Sequence, residues 1–447
     1  MTTRNDEMKE LLERVQITPS SGLKGMLYLF VAIGVVGFIV GLASGHPELA
    51  WQALLVNTVF FASISFGGLI FSIIWTVTDA KWSRPMKRIG EGAFAFAPVA
   101  LLLLIVALFG AEHYWEWVDH DKAIHSKAAW LEFNFFVKRN LILFVIVMGM
   151  AWIYLKAVLR PDIGLAKQLT GFSNPFADRM VKNYGSQEEE QEKSFRKLHM
   201  YSPWFAFAMV MLISAIAWDW VMSIDQEWFS TMFGVQYLAA SLIAGMCFIN
   251  LTSGWMKTKF QLGDYISTVR FHDTGKFIFA FCLLWSYMCF SQVIVIWYGN
   301  IPEETPFLIL RMQSESWSWM FWLLTAMMFI IPFFGLMPRT VCNSVVASRI
   351  LAIEILIALW LEKYFIIVPS MQENQAAAAA AGGHGGHAVA HTARGVGLPG
   401  FHYSMYDFAL TLGVGGGFML CFFWFMKRVP NLPISDRHFF KDPNAHH

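Results

Sequence analysis

The sequence predicts an all-α integral membrane protein, and three observations carry that prediction. First, 56% of the 447 residues are hydrophobic and only 15% are charged, far from the balance of a soluble domain. Second, the apolar residues gather into ten segments, each close to the roughly 20 residues a helix needs to cross the hydrocarbon layer. Third, these runs are long and apolar on all sides. A spanning barrel strand would be about ten residues long and alternating, so backbone hydrogen bonding in lipid requires helices here.

The ten segments are expected at about 24–44, 51–78, 89–110, 135–159, 202–224, 231–256, 275–299, 317–336, 344–368 and 405–427. Pro, Gly or charged residues fill most of the gaps between them. The opening "MTTRNDEMKELLERVQITPSSG" is too charged and too mixed in sign for a signal peptide, so the first apolar segment is expected to stay as a helix. Residues 1–23 then form an N-terminal segment and 428–447 a C-terminal tail.

Lys and Arg set the orientation. Lys81, Arg84, Lys87 and Arg88 follow the second segment, a basic run from Arg160 to Lys197 follows the fourth, and Lys257, Lys259, Arg270 and Lys276 follow the sixth. The loops after segments one, five, seven and nine hold little beyond Arg311 and Arg394. Both termini are therefore expected in the cytoplasm, with the acidic loops outside. A formal net charge of +1 and the absence of a basic tail exclude a nucleic-acid partner.

Two stretches depart from the pattern. Residues 160–201, with "NYGSQEEEQEKSFRK", read as a cytoplasmic helical hairpin or loop, a solvated charged connector that could also dock a partner. Residues 369–404 are rich in Ala and Gly and read as a flexible external loop. Its His384, His387 and His391 lack a rigid frame, so no metal site is assigned. Cys247, Cys282, Cys289, Cys342 and Cys421 form no C-x-x-C, C-x-x-C-H or cluster spacing, so no covalent haem or iron–sulfur centre is expected in the chain.

Ionisable groups within apolar segments are costly unless paired or hydrated, which makes them the informative residues. Glu354 lies roughly ten residues into the ninth segment, about 15 Å at 1.5 Å per residue, near mid-membrane. Glu362 follows two turns later on the same wall, and the pair suggests a stepwise proton route or, alternatively, carboxylates held by neighbouring helices. Lys363 is expected to snorkel outward. In the seventh segment Trp285, Cys289 and Gln292 share a face. Gln292 suits a quinone carbonyl, a water chain or an interhelical bond, and Tyr287 is equally open.

At the outer ends stand Asp219, Asp225 and Glu227 of "WDWVMSIDQEW", His113, Glu116 and Asp119 of "GAEHYWEWVDHD", and Lys138 and Arg139. Lys138 or Arg139 is the expected partner of Asp219, lowering its pKa so that it could release or relay protons. The tryptophans nearby match the aromatic belt of a membrane interface.

The stretches "WDWVMSIDQEWFSTMFG", "HDTGKFIFAFCLLWSYMCFSQVIVIWYGNIPEE" and "WQALLVNTVFF" with "DAKWSRPMKRIGEGAF" resemble the NrfD/PsrC-like membrane subunits of bacterial alternative complex III, over nearly all the helices. Such complexes hold two homologous subunits, ActC and ActF. An early G-x-x-H-A-G-type stretch is replaced here by "NTVFFASISFGGLIF", which is closer to ActF. The resemblance implies two four-helix bundles, with residues 51–159 and 202–230 in the first and 231–368 in the second, plus a peripheral helix at 24–50 and at 405–427. It also implies menaquinol oxidation by the complex in a bacterial plasma membrane. Haems and iron–sulfur clusters would reside in a multihaem cytochrome and an iron–sulfur protein, with ActC, membrane lipid and a terminal oxidase as further partners. The quinol site is associated with the histidine-bearing subunit, so proton conduction or structural support is the role expected here. The alternatives are a quinone-binding subunit with its own quinol site and a stand-alone transporter, though no paired Gly/Pro-broken helices mark two halves.

Overall fold

The computed structural model describes residues 2–119, 124–382, 400–436 and 439. Ten long helices follow the expected segments: α1 (Ser21–Ala43), α2 (Pro47–Val77), α3 (Arg84–Tyr114), α4 (Phe133–Thr170), α5 (Gln187–Ile224), α6 (Thr231–Lys259), α7 (Thr268–Gly299), α8 (Ser318–Leu336), α9 (Val345–Gly382) and α10 (Met405–Met426). Among the described residues, all of these except α9 stand out as long and apolar enough to cross a bilayer. α9 fills the place expected for the segment at 344–368 and carries Glu354, Glu362 and Lys363.

α2 to α5 pack together, α6 to α9 pack together, and the two groups meet where α2 crosses α6. The crossing is close because both helices present glycine there. A Cβ on Gly67 would lie 1.8 Å from the Ser241 carbonyl oxygen, and one on Gly245 would lie 2.3 Å from the Gly67 carbonyl carbon. With backbones in contact, dispersion and packing replace the hydrophobic drive that lipid does not supply between helices. α2 and α6 are accordingly the most buried helices, while α1, α4, α7 and α8 turn much of their apolar surface outward, as lipid-facing helices do. α1 and α10 lie against one another and against α2, so the peripheral pair is a single layer. Gly34 and Gly413 form their closest approach, which gives the glycine run of the tenth segment a packing role.

The polar stretch at 160–201 is mostly helix. α4 runs on to Thr170 and α5 begins at Gln187, with a short helix, Pro175–Met180, at the tip. Arg160 closes this hairpin by a fork onto Glu190 (2.6 and 2.9 Å) and by bonds to the carbonyls of Met180, Lys182 and Asn183. The terminal segments add to this pairing: the Thr2–Arg14 helix packs on α4, and Asn174 and Gln191 donate to the Arg428 and Ser435 carbonyls of the tail. The alternation of ten helices puts the basic loops and the described parts of the terminal segments on one side, hereafter the basic end, and the acidic loops on the other.

Candidate functional site

The second bundle encloses a cavity of about 640 Å³ between α6, α7, α8 and α9, in the half nearer the acidic end. Glu362, Gln292 and Tyr287, named from the sequence, all border it, as do Trp285 and Cys289. Glu362 is buried; it accepts from Trp285 Nε1 (2.8 Å) and from Lys363 Nζ (2.7 Å). Lys363 does not snorkel outward. It is buried in the bundle with its ammonium 3.9 Å from the centre of the Tyr237 ring. The charge is tolerable there because a carboxylate and an aromatic face compensate it.

Gln292 donates to Gln236 Oε1 (2.5 Å) and to the Met288 carbonyl (3.2 Å), and Gln236 in turn donates to Cys289 Sγ (2.9 Å). Gln236 escaped the sequence reading because a lone amide in an apolar helix looks like packing; its partner lies 56 residues away. Tyr287 stands at the rim, 61% exposed toward the surface that faces lipid. Arg311, on a short helix (Thr305–Met312), roofs the cavity and lies over the Phe307 ring at 3.5 Å. Burial lowers its pKa to about 10, with Asp225 and Glu373 opposing, so it is a buried cation at neutral pH.

Glu354 sits nearer the basic end of α9, nine residues after Val345 and about 14 Å along the axis. Both its carboxyl oxygens are buried, and neither has a hydrogen-bond partner among the described residues. Cys247 of α6 and Cys282 of α7 are its electrostatic neighbours. It does not border the cavity that Glu362 borders.

The outer residues fall into separate places. Asp219 lies in a π-helical stretch, Ile216–Val221, and is fully buried in the first bundle. Its partner is Arg139, by a two-pronged bond (2.8 and 3.0 Å), with Asn140 (2.8 Å) and Trp130 (3.2 Å) completing the shell. Lys138 points away and is exposed. Asp225 accepts from the backbone of Glu227 and Trp228. Lys127 bonds the Gln226 carbonyl, and burial pulls its pKa down while Asp225 and Glu227 oppose the shift. His113 stacks with Trp51 and borders another outer cavity with Glu48, Glu116 and Asp119. His384, His387 and His391 lie outside the described residues; among the described ones no cluster suited to a metal ion occurs.

The sequence reading missed a second polar centre, in the first bundle toward the basic end. Arg88 is fully buried and bonds both Glu91 and Asp162, themselves buried. Ser72 donates to Glu91 (2.9 Å), Tyr154 meets Ser72 and Thr76, and Lys87 Nζ bonds Thr76 (2.8 Å). The C-terminal tail closes it: Ser435 N–H donates to Asp162 (2.8 Å), and Arg84 bonds Asp79 and Asp436.

A search of curated proteins gave no significant match. A family model does match, described as polysulphide reductase, NrfD, over residues 41–373. That match takes in only the last residues of α1, all of α2 to α8, and α9 past both membrane carboxylates, and it ends before α10. The chain belongs to the NrfD family of integral membrane subunits of quinone-linked oxidoreductases.

Proposed function

We propose that this chain is an ActF-type membrane subunit of a quinol-oxidising alternative complex III, and that its second bundle carries protons while its surfaces support the partner subunits. The observation that carries the reading is Glu354: a carboxylate near mid-membrane whose two oxygens have no bonding partner among the described residues. Such a group is expensive to keep in hydrocarbon unless it is hydrated or takes up a proton. Further along α9, Glu362 borders a cavity that also reaches Gln236, Gln292 and Tyr287, and Asp225 lies within electrostatic reach of the cavity's Arg311. Protons would move along this side of α9 and leave at the acidic end.

In this reading the complex lies in a bacterial plasma membrane with the basic end and both termini cytoplasmic. Partners are ActC, an iron–sulfur protein, a multihaem cytochrome and membrane lipid, with menaquinol as the reductant and a terminal oxidase downstream. An impermeant thiol reagent on intact cells should label a cysteine placed at Glu303 and spare one at Glu188; the reverse pattern would overturn the orientation.

The mechanism is tested by Glu354→Gln in the purified complex reconstituted into vesicles. Electron transfer from quinol should persist while protons released per electron fall. An unchanged proton count in a fully assembled variant would make Glu354 a packing residue. A chain that purifies without redox partners and moves a solute would replace the whole reading with a transporter.

A further inference from the structure

The two bundles treat their cations differently at the basic end. In the first, Arg84, Arg88, Arg160, Lys167, Lys193 and Arg196 each meet a carboxylate. In the second, among the described residues, only Lys276 does, through Asp273 (3.1 Å). Lys257, Lys259, Arg339 and Arg349 have neither an ion pair nor a hydrogen bond among the described residues. A loop lysine in water needs no partner, but Arg349 is placed on a membrane helix.

Arg349 belongs to the start of α9, four residues after Val345 and about 6 Å along the axis. Its stem lies on α6: a Cβ on Gly254 would stand 2.7 Å from Arg349 Cδ, and Asn250 donates to Ser348 (2.9 Å) alongside. Arg349 Nε is buried there without a partner, a donor that an incoming oxygen would satisfy. Helical side chains tilt toward the helix N-terminus, so the guanidinium is carried back toward the basic end, to the level of the lipid head groups. Lys257 lies one turn beyond Gly254 in the same direction, its ammonium 5.5 Å from the centre of the Phe271 ring. Arg339, exposed on the short helix Arg339–Asn343, stands within electrostatic reach of His272 of α7. Beside these cations runs an apolar stripe of α9, Val346, Ile350, Ile353 and Ile357, each about half exposed or more. Leu251 and Thr258, a turn to either side of Gly254 on α6, are partly or fully open as well.

We propose that Arg349 and Lys257 hold the phosphate of an anionic phospholipid from the leaflet at the basic end, with its acyl chains along the Val346–Ile357 stripe and Arg339 adding to the positive field. A guanidinium fork matches phosphate oxygens, and basic recesses between membrane helices suit anionic head groups. A free anion would use the cations and leave the stripe without a role. A zwitterionic lipid brings its own ammonium and gains less from them. The site is separate from the second-bundle cavity and from the Arg88 centre, and it does not rest on the proton-path reading.

The test is photolabelling of the full chain, with whatever subunits co-purify, in phosphatidylcholine nanodiscs carrying a trace of diazirine-tagged lipid, followed by peptide mapping. Tagged phosphatidylglycerol should label the peptides spanning 250–259 or 345–357 at least about fivefold more than tagged phosphatidylcholine, the gain expected of one cation near an anionic surface. Unlabelled phosphatidylglycerol should compete that label away, and inorganic phosphate should not. The Arg349→Gln, Lys257→Gln double variant should bring the preference down to near parity, and Arg349→Lys should retain part of it. Neither side chain bonds another described residue, so both variants should melt like the wild type in detergent. Equal labelling by the two tagged lipids, competition by inorganic phosphate, or an unchanged preference in the folded double variant would each overturn the proposal. The wild-type comparison decides by itself should a variant fail to fold. Proton counts in Glu354→Gln are read separately, so either idea can fail alone.

Discussion

Arg88→Met should nearly abolish folded, detergent-extractable protein. The guanidinium is the shared partner of Glu91 and Asp162, and all three side chains are buried between α2, α3 and α4. Methionine matches the length of the stem but leaves two buried carboxylates without the cation they share. Breaking a buried ion pair from one side costs about 3–5 kcal/mol, because the remaining charge has no compensation. Against a net stability of about 5–15 kcal/mol, that loss suffices to unfold a large share of the molecules. Ser72 and the Ser435 amide would still donate to the carboxylates, but neutral donors do not replace the cation.

The control is the triple variant Arg88→Met, Glu91→Gln, Asp162→Asn. With all three charges removed the triad's own desolvation cost goes, and replacing a whole buried triad is often neutral or stabilising; Lys87 keeps its bond to Thr76 but loses Glu91 as a counter-charge. The triple variant should therefore recover most of the yield and of the melting temperature in detergent. A single Arg88→Met variant with unchanged melting temperature would show that the network is dispensable for the fold. Failure of the triple variant as well would show that the stability resides in hydrogen-bond geometry.

How far this centre was readable from sequence depends on what each residue resembles. Lys87 and Arg88 sit where the positive-inside rule expects cations, so they were counted as loop charges; in the structure they turn inward. The one local clue is that Arg88 and Glu91 are three residues apart, neighbours on a helix. Asp162 follows Pro161 and fell in the polar insert outside the fourth membrane segment, whereas α4 continues unbroken through that proline. The helical insert was legible in part: Ser186 caps α5 by accepting from the Glu189 amide, the S-x-x-E pattern that opens many helices.

The second bundle was more legible because its signals are rarer. A carboxylate in an apolar run has few innocent explanations, so Glu354 and Glu362 stood out, and Gln292 stood out as a deep amide. What the sequence withheld was pairing over long separations. Gln52 donates to Tyr364 and Trp360 to Asn57 across about 300 residues of chain, and nothing local announces either bond. Lys363 was misread for a related reason. A lysine near the expected end of a membrane helix usually reaches for water, but α9 extends to Gly382 and Lys363 faces Glu362 and Tyr237 instead.

Arg139→Leu and Asp219→Asn should damage the protein unequally, and the inequality tells a clamp from a proton carrier. Arg139 keeps 14% of its side chain exposed, whereas Asp219 is fully buried. Removing the arginine strands a buried carboxylate with only Asn140 and Trp130 donating to it, at about 3–5 kcal/mol. Asp219→Asn removes the charge but keeps an acceptor, and the guanidinium stays stacked on Trp130 at 3.8 Å with a route to water. Its cost should be nearer the about 1–3 kcal/mol of a disturbed buried hydrogen bond. Melting of the two variants in detergent checks the order; equal losses, or a more stable Arg139→Leu, would contradict a clamp anchored on the buried acid. The same Asp219→Asn protein, assembled and reconstituted, should release as many protons per electron as the wild type. If its count falls as expected for Glu354→Gln, the exit of the route runs through the first bundle, because a clamp that only holds α4 to α5 has no reason to change proton stoichiometry once the complex has formed.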